Sequence, residues 1–96
     1  MQDYVHEYLA KHEGPVRPWL SCADGTTMSV QASKFHYCSP RDDRGPWGCV
    51  EVWCIAGPSG RAIYPRSFGD GGKDTPYSFV PVSVVNKFIH RHGGLA

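Results

Sequence analysis

The chain has 96 residues, 41% hydrophobic and 20% charged. This excludes an intrinsically disordered segment and points to a single domain, residues 1–96, with one modest core. Ten basic and nine acidic side chains leave a net charge of +1, which argues against both a dedicated duplex-DNA domain and a strongly acidic DNA mimic. Eleven glycines and eight prolines favour short strands and ordered loops over a helix bundle.

Residues 3–13 read as a helix: Tyr4, Val5, Tyr8, Leu9 and His12 recur on one face at three-four spacing, and Gly14 and Pro15 stop it. Residues 16–22 (VRPWLSC) read as a strand, placed at a sheet edge by Pro18. In "ADGT", Asp24-Gly25 supplies the positive φ of a hairpin turn. A second strand is expected from Thr27 to Cys38. Its apolar positions are Met28, Val30 and Ala32, then Phe35 and Tyr37 on the opposite parity. A strand changes its buried face only through a bulge, which predicts one near Ser33-Lys34. Residues 49–56 (CVEVWCIA) form a third strand, 61–64 a short fourth and 77–80 the last, with a Gly-rich loop from Pro65 to Pro76. A second helix starts around Pro81, presents Val82, Val85, Phe88 and Ile89, and is capped by Gly93. The fold class is α+β: an antiparallel sheet of three to five strands with the N- and C-terminal helices on one face.

No apolar run approaches the ~20 residues that cross a bilayer, and "MQDYVHEYLAKHEG" is amphipathic and charged, unlike a signal peptide. The expectation is a cytoplasmic protein with no membrane partner and reduced thiols. In an oxidising compartment the four cysteines would form two disulfides of open connectivity.

Matching apolar positions between the second and third strands pairs Tyr37 with Val50, Phe35 with Val52 and Ser33 with Cys54 beneath the helices. The other face then sets Cys38 against Cys49, His36 against Glu51 and Lys34 against Trp53. Three readings compete for it. The first is zinc, held by Cys22, His36, Cys38 and Cys49; no C-x-x-C or H-x-x-x-H spacing supports it. In the second, a Cys-His pair oriented by Glu51 acts as a nucleophile. No pocket or oxyanion hole is evident, and Asp42 and Asp43, flanked by Arg41 and Arg44, read as a solvated charge cluster, so no enzyme is expected. The third is recognition. "SPRDDRGPWG" is a hairpin loop stiffened by Pro40 and Pro46 that displays Arg41, Asp42, Asp43, Arg44 and Trp47. Trp and Arg dominate interface energies, and Trp53 and Lys34 would extend the surface. The competing reading of Trp47 folds it back over the end of the sheet. "AGPSGR" and "GDGGKD" read as plain loops, and "HRHGG" as a helix end that complements the dipole.

The segments Ser29–Ser33 (SVQAS), His36–Arg41 (HYCSPR), Gly45-Pro46, Val50–Val52 (VEV), Tyr77–Val82 (YSFVPV) and His92–Gly94 (HGG) together resemble a family of small phage and prophage proteins with no established chemistry. Met1 to Gly14 lies outside the pattern, and Cys49 and Cys54 depart from it. The resemblance implies an accessory protein of an infected or lysogenic bacterial host. It would bind and inhibit a protein or ribonucleoprotein defence complex, as anti-CRISPR proteins do. The alternative is a small nucleic-acid-binding module in which Trp47, Trp53, Lys34 and Arg41 stack on bases and contact phosphates.

Overall fold

A computed structural model describes residues 2–96. Helix α1 (Tyr4–Lys11) leads into strands β1 (Leu20–Ser21), β2 (Thr27–Gln31) and β3 (Cys49–Ala56). Strand β4 (Tyr77–Pro81) and helix α2 (Val82–Arg91) complete the chain. The four strands form an antiparallel meander in the order β1-β2-β3-β4, and the fold is α+β as expected.

Local chemistry sets the element ends. Asp3 caps α1: its Oδ1 accepts the His6 N–H at 3.2 Å, satisfying one of the free donors of the first turn. Gly94 N–H returns to Ile89 O at 2.9 Å after α2, with Gly93 at φ +91°, the left-handed exit that glycine adopts without a Cβ penalty. Gly25, at φ +95°, turns the β1–β2 hairpin, and Cys22 N–H pairs with Thr26 O at 2.7 Å.

The inward positions of the sheet (Met28, Val30, Val50, Val52, Val80) meet Val5, Tyr8 and Leu9 of α1 and Val85, Phe88 and Ile89 of α2 in one core. Both helices cover this face. Val5 N–H donates to Asn86 Oδ1 at 2.9 Å, and Asn86 Nδ2 donates to Asp3 at 3.1 Å. The two helices are therefore joined by a buried amide as well as by apolar contact.

The sheet departs from expectation between residues 32 and 38. β2 ends at Gln31, and its register pairs Val30 with Val52 and Gln31 with Glu51. The predicted Tyr37–Val50 and Phe35–Val52 pairs do not form, and Phe35 and Tyr37 are 66% and 46% exposed. The cause is local. Ser33 Oγ accepts the Phe35 N–H at 3.0 Å and meets His36 Nδ1 at 2.6 Å, a side-chain turn that competes with the strand ladder. The chain rejoins the sheet at Ser39, which bridges Cys49 in place of Cys38.

The bulges lie elsewhere. Between Thr27–Ala56 and Ser29–Trp53, β3 carries one extra residue, and Cys54 stands at φ 55°. Between Val50–Val80 and Val52–Tyr77 the extra residue is in β4, and Phe79 stands at φ 52°. Each bulge shifts the buried parity, so Ile55 rather than Cys54, and Val80 rather than Phe79, points into the core. Residues 61–64 form only an isolated bridge, Ala56 to Ala62. The Gly-rich loop contains a single 3-10 turn, Arg66–Phe68, that buries Phe68 edge-on against Tyr77 and Phe88.

Candidate functional site

The residues the sequence singled out do not gather on one face: Trp47, Cys22 and Cys38 are part of the core, while Lys34 and Arg41 are exposed. Trp47 is 6% exposed and does not present its ring to solvent. It folds back over the end of the core, its indole N–H donating to Asp42 O at 3.2 Å and its face 5.3 Å from the Arg17 guanidinium. Gly45 lies directly beneath it at φ +68°; a Cβ there would stand 2.6 Å from the ring. His6 pins the same segment from α1, with Nδ1 on Asp3 Oδ2 and Nε2 on Trp47 O, each at 2.7 Å. An exposed Trp47 anchor is therefore corrected to a buried strut of the loop.

The loop's charges are mostly engaged at home. Asp42 Oδ1 accepts from Arg44 N–H at 3.0 Å and Gly45 N–H at 2.9 Å. These two backbone bonds hold its carboxyl below the usual carboxylate range. Asp43 accepts the Lys34 N–H at 3.0 Å and faces Lys34 Nζ at 4.0 Å. Trp53 is half-buried on the outer face of β3, opposite Ser29.

What the surface does expose is a cluster absent from the predicted contact set. The Tyr37 and Phe79 rings lie 6.1 Å apart, 46% and 49% exposed. Both are fixed by backbone bonds: Tyr37 N–H donates to Glu51 Oε2 at 2.9 Å, and Phe79 N–H donates to Tyr37 O at 3.0 Å. Arg41 stands over the Tyr37 ring at 5.4 Å, and Lys34 over the exposed Phe35 ring at 5.3 Å. Of the predicted residues, then, Arg41 joins the Tyr37–Phe79 pair and Lys34 covers the separate exposed ring of Phe35, while Trp47 packs inside. Phe79 was legible only through the apolar spacing of "YSFV": on a regular strand Phe79 would share a face with Tyr77 and oppose Val80, so burying both Tyr77 and Val80 requires an irregularity that turns Phe79 outward.

The cysteine and histidine readings come apart in the same geometry. Cys22 is buried at the far edge of the sheet, bridged to Leu95, and burial pushes its thiol up to about 11. Cys38 is buried with Sγ on Ser33 O at 3.2 Å, and burial raises its pKa as well. All four cysteines are free thiols. Among the described residues no three His, Cys, Asp or Glu side chains converge on a metal-sized site; the set Cys22, His36, Cys38 and Cys49 is not assembled. Glu51 is bonded to Tyr37 N–H and His36 to Ser33 Oγ, so Glu51 does not orient His36. No helix among the described residues is long and apolar enough to cross a membrane.

Comparison with protein-family models, with curated proteins and with solved structures finds no match to the chain.

Proposed function

We propose that this protein acts by recognition. In this reading it is a stoichiometric binder that occupies a surface of a bacterial defence complex, as an anti-CRISPR inhibitor does. The Tyr37–Phe79 pair is the anchor, with Phe35, Lys34 and Arg41 around it. The observation that carries the binding role is Phe79. A bulky residue in the left-handed region is a backbone outlier, here at φ 52° with the ring half exposed. Such strain gathers at ligand clamps and active sites, and here its product is a solvent-facing aromatic. The defence-complex partner is the contribution of the phage-family resemblance.

Mixed charge around the rings favours a protein surface. Carboxylates accompany the cations there, Asp43 beside Lys34 and Glu51 on the Tyr37 N–H with Arg41 over the Tyr37 ring, a pattern that specifies a partner by complementarity. The second reading, nucleic acid, has one observation in its favour: cations poised over exposed rings suit base stacking and phosphate contact.

The test is co-purification of the tagged protein from a nuclease-treated bacterial lysate. Recovery of one complex at fixed stoichiometry, lost on Tyr37→Ala, is the expected result. No stoichiometric protein partner, together with single-strand binding that falls steeply with salt, would replace this reading with the nucleic-acid one.

A further inference from the structure

Arg17 is 5% exposed, yet none of its contacts is a carboxylate. Its Nε and Nη2 donate to Leu9 O at 3.4 and 3.3 Å, and its Nη1 donates to Ala32 O at 2.6 Å. A guanidinium carries five N–H donors and stays charged. One N–H on each terminal nitrogen therefore has no acceptor among the described residues. A buried charge without a direct ion pair is costly; Glu13 and Asp43 act on it only through space, and the Trp47 face 5.3 Å away offsets only part of that cost.

This guanidinium borders a groove of about 590 Å3 between the end of α1 and the loop from Ser39 to Gly48. Leu9, Ala10 and Trp47 supply apolar wall, and Arg44 is a second cation. Glu13 and Asp43 also line it, so the formal charges of the two arginines and two carboxylates cancel. The groove thus lacks the long-range field that gathers polyanions. It offers instead a desolvated fork, and a planar carboxylate spans the two terminal nitrogens of a guanidinium.

We propose that the groove is a carboxylate-binding site, with Arg17 as the bidentate contact and Arg44 as the rim cation, and that it takes an acidic side chain or chain end of a peptide. The site is separate from the Tyr37–Phe79 surface and does not depend on its role.

The experiment is an NMR titration of the isotope-labelled full chain, following the Arg17 Nε–H and Trp47 indole N–H resonances. The probes are N-acetylglutamate N-methylamide for a side chain, N-acetylglycine for a chain end, inorganic phosphate, and chloride at matched ionic strength. Both resonances shift saturably with at least one carboxylate, and the tighter of the two identifies the source. Arg17→Lys, which keeps the charge but loses the fork, abolishes the effect. Arg44→Gln weakens it about five-fold, the scale of one exposed charge, and decides the matter if the Arg17 variant does not fold. No saturable shift with either carboxylate overturns the proposal, as does phosphate binding at least as tightly, or an Arg44→Gln protein that binds like the parent.

Discussion

Two regions of this molecule use the same residue types to opposite ends. Beneath the helices, Tyr8, Phe88 and Tyr77 are buried, in contact with apolar neighbours. By contrast Phe35, Tyr37 and Phe79 are exposed and held by hydrogen bonds of their backbone, with Lys34 over Phe35 and Arg41 over Tyr37. The first region is built from side-chain burial, the second from backbone fixation. Aromatic character alone therefore does not identify core; what decides is whether the local backbone keeps strand alternation. It fails at the Ser33 turn and the Phe79 bulge, and aromatics emerge at both places.

Trp47 closes the end of the core beside α1 and Arg17, and its removal should have the largest effect. Trp47→Ala is expected to destabilise by about 3–5 kcal/mol, read as a lower denaturant midpoint; a change under about 1 kcal/mol would place the ring outside the core. Gly45→Ala tests the same packing from below. The left-handed φ and the 2.6 Å approach to the indole predict a loss of about 1–3 kcal/mol, measured by thermal unfolding.

Acid should loosen the polar attachments before the apolar core. Asp24 is held below its usual pKa by the Thr26 N–H and by His92, and Asp42 by the Gly45 and Arg44 N–H groups. For Asp3, burial pushes the carboxyl up, but its bonds with His6 and Asn86 outweigh this and leave it lowered. A depressed carboxyl contributes stability that is fully present above its unfolded pKa, near 3.8, and lost as pH falls through the lower folded value. Stability should therefore hold down to about pH 5 and decline below about pH 4. Asp24→Asn should flatten that decline; an unchanged acid limb would remove Asp24 from the account. The smallest effect is kinetic. A thiol reagent should modify exposed Cys54 first and reach buried Cys22 and Cys38 only on unfolding, as mass spectrometry of partly labelled protein would show. Early labelling of Cys38 would contradict the packing of the 32–38 turn.

Much of the core side is legible in the sequence because periodicity reports burial there. The three-four spacing of Tyr4, Val5, Tyr8 and Leu9, the Val50-Val52 alternation and the Asp24-Gly25 turn all correspond to observed elements. The outer side is less legible because hydrogen bonds, not periodicity, decide it. The parity change at Phe35 reads as a bulge within a long strand, whereas Ser33 ends the pairing altogether. The change that does mark a bulge, from Val52 to Ile55, passes unnoticed because Cys54 between them also reads as apolar. The burial of Arg17 has no signature, since its acceptors, Leu9 O and Ala32 O, are backbone atoms supplied by the tertiary fold.

The most direct test of the central claim is Phe79→Gly, with stability and partner capture measured on the same preparation. Glycine relieves the left-handed backbone and removes an exposed ring, so the variant should be as stable as the parent or up to about 1 kcal/mol more stable. It should also lose the complex that the parent captures from nuclease-treated lysate. A variant that captures the same complex at the same stoichiometry would contradict the recognition role of Phe79. One that unfolds more readily would show that the ring serves the fold.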